Sequence, residues 1–157
     1  MNRMIQTSDF TVNLRYLLEE TFETHHGIYL DKGTSLLETL KTITAQEASI
    51  PVGGKCASLA AQVAHVIFYL EVLERYIVNR DTSPVDWGAV WRDTEKVTRE
   101  EWEALQAKLE AAWHRLSRVF DEIESWDEHN LGGALAVVVH SAYHLGEIRQ
   151  ALCTLRS

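Results

Sequence analysis

Apolar residues recur at helical spacing along four long stretches of the chain, and each stretch predicts an α-helix. We place these helices at residues 8–26, at 59–79, at about 99–124 and at a last stretch that includes 135–150. The first three pair an apolar stripe with a polar face, whereas the last is apolar on nearly every side and should be mostly buried. The pattern predicts an all-α fold, a four-helix bundle with at least one crossover connection, in a single domain covering residues 1–157.

Capping residues and helix breakers mark the predicted ends of these helices. Ser8 or Asp9 can cap the first helix and Ser58 the second, because their side-chain oxygens can accept hydrogen bonds from the free N–H groups of a first turn. Gly27 is placed to stop the first helix, and the PVGGK segment (Pro51 to Lys55) should break any helix in the long connection 28–57. Capping boxes predict further helix starts at Ser35 with Glu38, at Thr44 with Glu47 and at Thr98 with Glu101.

The other two connections differ in length. Residues 80–98 form a second long connection, in which Trp87 and Trp91 can belong to a short helical lid that either covers the core or lines a pocket. Residues 127–130 form a short polar turn, so we expect the third and fourth long helices to be antiparallel neighbours.

Composition and charge narrow the possible functions. The formal net charge is −8, and no run of Lys and Arg occurs, which argues against a nucleic-acid partner. The first ten residues contain no apolar signal-peptide region, and the longest apolar run is too short to span a bilayer. We therefore expect no membrane partner. Two cysteines without CxxC spacing, Cys56 and Cys153, favour a reduced, cytoplasmic setting.

Two histidines interrupt the apolar last helix. His140 and His144 are four residues apart, which places both imidazoles on one face, where they can converge on a metal ion or serve as hydrogen-bonded core residues. His65, between apolar residues in the second helix, is the natural third ligand. Of the other histidines, His25 and His26 are assigned to the end of the first helix, His114 to the surface and His129 to the short polar turn.

Three neutral imidazoles would leave coordination positions open for water or substrate and would suit Zn, Ni, Fe or Cu but not Mg or Ca. Cys153 is about 180° around the helix from His144 and cannot join that face. Cys56 is interpreted as a turn residue. Glu147, three residues after His144, could orient this histidine, act as a base toward bound water, or face solvent.

The segments AHVIFYLE (Ala64 to Glu71) and HSAYHLGEIRQAL (His140 to Leu152), with a tryptophan-bearing connection between helices two and three, resemble the DinB-like (DinB/YfiT) superfamily. The resemblance covers nearly the whole chain. It implies a four-helix bundle of up-down-down-up topology, a divalent metal, often Ni or Zn, on His65, His140 and His144, and a homodimer. Some such proteins are thiol S-transferases and others are described as hydrolases.

Two functional hypotheses follow. The first is a metal-dependent enzyme that acts on a small-molecule substrate. It would either transfer a low-molecular-weight thiol to the substrate, because a bound cation favours the thiolate, or hydrolyse the substrate, because a bound cation activates water. The second is a non-catalytic bundle that binds a metal or small ligand in a stress response. A pocket that opens onto the metal ligands would favour the enzyme.

Overall fold

In the computed structural model, which describes residues 6–52, 56–94 and 96–157, the chain is all α-helical. Three residues of the predicted PVGGK breaker, at positions 53–55, and the first five residues of the chain lie outside these ranges. Four long helices are present, and the two long connections between them carry short helices, as predicted. Within the described ranges the helices are α1 (Thr7–Phe22), α2 (Leu36–Leu40), α3 (Ala45–Ala48), α4 (Leu59–Asn79), α5 (Ala89–Asp93), α6 (Arg99–Glu122) and α7 (Glu128–Leu155).

Contacts between the long helices fix their directions. Helices α4 and α7 are antiparallel, because Gln62 meets His144 at one end and Tyr76 meets His129 at the other. Helix α6 is parallel to α4, since ion pairs join Lys108 to Glu71 and Arg115 to Glu74. Helix α1 is antiparallel to α6, since its residues 15 and 22 contact residues 121 and 113 of α6. The topology is therefore up-down-down-up, which confirms the prediction.

The order of the helices around the bundle corrects one prediction. Helix α7 packs against α4 and α1, and α6 packs against α4 and, through side chains, α1. Helices α6 and α7 are antiparallel but lie diagonally across the bundle, so they are not neighbours. The five residues between them can reach about 17 Å when extended. That span exceeds a diagonal of about 13 Å between helices packed 8–10 Å apart.

An apolar core fills the space between the long helices and is closed on one side by α2. Phe22 of α1 stacks on Trp113 of α6, with ring centroids 4.4 Å apart, and both side chains are buried. The indole of Trp102 donates a hydrogen bond of 2.8 Å to the Ile43 carbonyl, which fixes the first long connection to α6. Other fully buried core residues are Leu36, Leu40, Leu59, Ile67, Leu70, Leu109, Leu116, Leu145 and Ile148.

Most of the predicted helix starts are confirmed. The Ser58 side chain accepts from the Ala61 N–H, and both hydrogen bonds of all three capping boxes form. Helix α7 starts earlier than expected, with Asp127 as its cap, so His129 lies in its first turn. At α1 the predicted caps are wrong, because Gln6 is the N-cap and makes no side-chain hydrogen bond.

The end of α1 also differs from the prediction, and a buried carboxylate explains why. The helix ends at Phe22, so His25 and His26 lie beyond it, and Gly27 has its positive φ within the following loop. The Glu20 side chain has no solvent exposure and accepts hydrogen bonds of 2.6–3.1 Å from the backbone N–H groups of residues 26, 28, 29 and 30. These bonds hold the loop beside α1 instead of letting the helix continue.

Helices α4 and α7 approach each other closely at Gly133. A Cβ atom placed on this glycine would lie 2.6 Å from Cγ1 of Ile77, whereas one on the adjacent Gly132 would have no neighbour within 4 Å. Gly133 therefore sets how near the two site-bearing helices can pack.

A search for membrane-spanning helices gives a negative result for the described residues, since none of these helices combines the length and apolarity that a bilayer crossing requires.

Candidate metal centre

The structure brings together the three histidines that the sequence singles out. His65 comes from the second turn of α4, and His140 and His144 come from adjacent turns of α7. The antiparallel packing of the two helices places them at the same depth in the bundle. One ring nitrogen from each side chain can be chosen so that all three atoms lie within 4.8 Å of one another. His65 and His144 are buried and His140 is half-buried.

The separation of two of the ring nitrogens matches that of two ligands of one metal ion. The Nε2 atoms of His65 and His140 are 3.1 Å apart. Two ligand atoms held about 2.05 Å from one ion would be about 2.9 Å apart at a right angle and about 3.3 Å apart at the tetrahedral angle. The observed separation lies between these values. Within the described chain the Nδ1 atoms of both rings are buried without a hydrogen-bond partner, so each of these two imidazoles makes its hydrogen-bonding contact only through Nε2, to the other ring.

His144 is oriented by two acceptors. Its Nδ1 atom lies 2.6 Å from Oε1 of Gln62 and 3.0 Å from Oε2 of Glu147. The Tyr143 hydroxyl in turn donates a hydrogen bond of 2.6 Å to the other oxygen of Glu147. A neutral imidazole has only one N–H, so these contacts assign it to Nδ1 and leave the Nε2 lone pair of His144 for a metal ion. Gln62 is a site residue that the sequence pattern did not indicate.

Aromatic rings pack against the histidines and restrict their rotation. Tyr69 stacks on His140 with centroids 3.5 Å apart and an interplanar angle of 4°. Trp91 stacks on His65 at 4.3 Å, and Trp87 meets the same imidazole edge-on at 6.5 Å. The tryptophan-bearing connection therefore covers the histidine cluster, and Trp91 also lines the cavity beside it.

Burial keeps all three imidazoles in the neutral form that binds metals. It lowers the pKa of His140 to about 3, with further lowering by the nearby His144 and His65. It also lowers the pKa of His65, where His144 adds to the effect and Glu147 opposes it. The pKa of His144 is lowered by burial and partly restored by Glu147. At neutral pH the cluster offers uncharged nitrogen donors, which suit Zn, Ni, Fe or Cu.

A cavity of about 690 Å³ opens beside the cluster. His144, Gln62 and Glu147 line it, so at least one candidate ligand and both of its hydrogen-bond acceptors face a space large enough for a small molecule. Cys56 also lines this cavity, a position that its interpretation as a turn residue did not anticipate. Cys153 is exposed and not among the cavity residues, as the helical geometry predicted.

The remaining histidines are not part of the cluster. His26 lies 2.9 Å from a carboxylate oxygen of Glu19, and His114, exposed as predicted, lies 2.8 Å from one of Glu23. His129 contacts the Tyr76 carbonyl at 2.7 Å.

The fold and the site define an all-α bundle whose three-histidine group could hold a metal ion. A family model described as the DinB superfamily matches residues 31–148. The chain therefore belongs to the DinB superfamily, as its sequence resemblance indicated. Searches of curated proteins and of solved structures found no match.

Proposed function

We propose that this protein is a metal-dependent enzyme that uses His65, His140 and His144 to bind one divalent transition-metal ion, Ni or Zn. The observation that carries the proposal is the convergence of three neutral imidazoles beside a cavity of about 690 Å³. Bound there, such an ion would supply a Lewis acid that lowers the pKa of a coordinating thiol or water.

The reaction that we propose is transfer of a low-molecular-weight thiol to an electrophilic small molecule, with hydrolysis as the related alternative. In the thiol reaction, a bond forms between the sulfur and the electrophilic atom, and the leaving group departs with the bonding electron pair. The thiol proton passes to solvent through the cavity, because both carboxylate oxygens of Glu147 are already engaged. No nucleic acid or membrane partner is proposed.

The residues of the chain have distinct roles in this proposal. Gln62 and Glu147 fix the orientation of His144, and Tyr143 fixes Glu147. Both oxygens of Glu147 are already engaged, which supports a positioning role more than a role as base. Trp91 forms a wall of the cavity and shields His65.

The non-catalytic alternative, a bundle that only stores or senses a metal or ligand, needs no access for a second reactant. A cavity that reaches His144 and Glu147 supports the enzyme instead, because a substrate can approach the site from it.

Metal analysis followed by a reactivity screen tests the proposal. Protein purified without a His-tag and incubated with Zn or Ni should hold about one ion per chain, and His140→Ala should lose most of it, because two imidazoles bind far less tightly than three. His114→Ala, which removes an exposed histidine outside the cluster, is the matched control.

The metal-loaded protein is then screened for reactions of thiols with electrophiles. Full metal content in His140→Ala would overturn the site, and a loaded protein inert toward every thiol, electrophile and ester would favour the binding bundle.

The two cysteines provide a test of where the attacking sulfur comes from. If the thiol is an external reactant, Cys56→Ser and Cys153→Ser should both retain turnover. Cys56 lines the cavity and Cys153 does not, so the second variant controls for the first. A large loss confined to Cys56→Ser would indicate a covalent cysteine mechanism instead.

A further inference from the structure

Two of the three candidate ligands lack the hydrogen bonds that orient the third. Nδ1 of His144 has two acceptors, Gln62 and Glu147. The Nδ1 atoms of His65 and His140 are buried, and neither has a hydrogen-bond partner within the described chain. A histidine that binds a metal almost always donates its other ring N–H to an acceptor, and that bond sets the direction of the ring. In these two histidines a different contact has to do so.

For His140 this contact is an aromatic ring that lies flat against the imidazole. The centroids of the Tyr69 and His140 rings are 3.5 Å apart, and their planes differ by 4°. The next closest stack on the cluster, Trp91 on His65, has a longer separation of 4.3 Å and a tilt of 25°. Turning the imidazole out of the parallel arrangement would push its edge into the tyrosine ring. The stack therefore fixes the plane of His140, and with it the plane in which its nitrogen lone pairs point.

Tyr69 belongs to a stripe of α4 that faces the candidate metal centre. Gln62, His65 and Tyr69 are separated by three and four residues, which places them on one side of the helix. Gln62 contacts His144, and Tyr69 contacts His140. Helix α4 thus supplies one ligand and, about one turn before and after it, a contact for each of the other two.

We propose that Tyr69 is the positioning residue of His140, and that its ring, not its hydroxyl, aims the Nε2 lone pair of His140 at the ion. This role rests on the proposed metal binding by the three histidines. Nε2 of His140 lies 3.1 Å from Nε2 of His65, a separation that suits two ligands of one ion. A ring already held in this plane loses less freedom when the ion binds, so the stack favours binding.

The geometry assigns this role to the ring of Tyr69 because the contact is between two ring faces. Within the described chain the Tyr69 hydroxyl has no hydrogen-bond partner, so it orients none of the histidines. Phenylalanine would keep the stack, whereas a leucine of similar apolar character has no flat face to hold the imidazole in plane. The pair of substitutions therefore separates the effect of the ring from that of the hydroxyl.

Metal affinity and a spectroscopic signature test the role. Tyr69→Phe should bind Zn or Ni as tightly as wild type, whereas Tyr69→Leu should bind about tenfold to hundredfold more weakly, the range for residues that orient a ligand. With Co²⁺ as a coloured substitute for Zn²⁺, Tyr69→Phe should reproduce the wild-type visible absorption. Tyr69→Leu should show shifted bands, because these bands report the ligand geometry. Wild-type affinity and absorption in Tyr69→Leu, or an equal loss in Tyr69→Phe, would overturn the inference.

A second tyrosine of α4 controls for a general loss of packing. Tyr76 is also half-buried, and its ring packs against a histidine outside the cluster, His129, with centroids 4.0 Å apart. Tyr76→Leu should lower the melting temperature of the metal-free protein about as much as Tyr69→Leu does, but it should leave metal affinity unchanged. An equal loss of affinity in Tyr76→Leu and Tyr69→Leu would mean that packing of α4, and not the stack on His140, is responsible.

Proton NMR of the metal-free protein tests the orientation without any ion and without relying on Tyr69→Leu. In wild type, the carbon-bound ring protons of His140 should resonate upfield of those of the exposed His114, because they lie over the face of the Tyr69 ring. Tyr69→Phe should keep this shift, and Tyr69→Leu should lose it. Wild-type His140 signals without the upfield shift would overturn the inference.

The outcomes distinguish the inference from the proposed function on which it rests. A wild-type protein that shows the upfield shift but binds no ion would overturn the proposed function, and the role of Tyr69 toward a metal with it. A wild-type protein that binds one ion, with equal affinity in Tyr69→Leu, would overturn the inference alone.

Discussion

At the residue scale, the three histidines differ in how their ring protons are placed. Nδ1 of His144 has two acceptors, so its tautomer is set before any ion arrives. His65 and His140 instead face each other through Nε2. Without an ion, one of these two nitrogens has to be protonated and donate the hydrogen bond to the other. Binding an ion through both Nε2 atoms therefore requires one of the two rings to move its proton to Nδ1.

Gln62 should matter for metal affinity although it is not a ligand. Gln62→Leu removes one of the two acceptors of His144 and should weaken metal binding about tenfold, the lower end of the range for residues that orient ligands. Glu147 remains as the second acceptor, so the loss should be partial. Calorimetric titration of metal-free protein with Zn or Ni in the presence of a competing chelator measures the effect, with Gln46→Leu, at an exposed position of α3, as the control. Equal affinity in Gln62→Leu and wild type would show that Glu147 alone orients His144.

Glu20 makes a pH-dependent contribution to stability. Burial by itself would raise the pKa of Glu20, but the N–H groups of the loop after α1 outweigh it and lower the pKa to about 2. Since the folded pKa lies below the unfolded value of about 4.3, the carboxylate stabilises the fold fully above that value and loses its effect as pH falls toward 2.

Glu20→Gln should therefore lower the free energy of unfolding at pH 7 by about 2 kcal/mol, because a hydrogen-bonded charge is replaced by an amide that is a weaker acceptor. Urea denaturation at several pH values measures this. The difference between variant and wild type should shrink below about pH 4.3. A difference that does not change with pH would mean that the Glu20 charge does not hold the loop.

At the scale of elements, the packing of α4 against α7 depends on one glycine. Gly133→Ala should destabilise the protein by about 1–3 kcal/mol, because its Cβ would overlap Ile77. Gly132→Ala, one residue away and facing open space, should stabilise it by up to about 1 kcal/mol through helix propensity. Thermal denaturation at low protein concentration compares the two. Equal changes in stability for the two variants would mean that the Ile77 side chain can shift to accommodate the new Cβ without a loss of stability.

The same scale shows what the sequence could predict. Periodicity and capping residues placed α4 within its observed bounds, identified all three capping boxes and brought out His65, His140 and His144. The sequence pattern did not predict the end of α1, because that end depends on Glu20. A glutamate in a helix usually faces solvent, and Glu20 is buried only because the following loop folds back onto it. Gln62 was missed for a similar reason, since its role depends on the pairing of α4 with α7. Local signals specify helices, whereas these two roles arise from contacts across the bundle.

At the scale of the whole molecule, the topology makes the candidate metal centre a product of folding. Its histidines are separated by up to 79 residues, and they meet only when α4 and α7 pack antiparallel. An ion bound by all three should therefore stabilise the native state by mass action.

Added Zn or Ni should raise the melting temperature at pH 8, and His65→Ala should lose most of this increase. Protons compete with the ion for the ligands. Because burial lowers the pKa of all three imidazoles, the increase should persist below the ordinary histidine value of about 6.5 and disappear as pH falls toward the lowered values. Differential scanning calorimetry with and without metal measures the shift. An equal increase in His65→Ala would exclude this histidine as a ligand.

The stacking of Trp91 on His65 gives the protein an optical reporter. Their centroids are 4.3 Å apart, and Trp87 is the other indole in contact with the cluster, whereas Trp102 and Trp113 are anchored elsewhere in the core. A paramagnetic ion such as Ni²⁺ or Cu²⁺ quenches the excited state of an adjacent indole, and diamagnetic Zn²⁺ does not. The intensity of the protein's own fluorescence should therefore distinguish a bound paramagnetic ion from bound Zn²⁺, without any label.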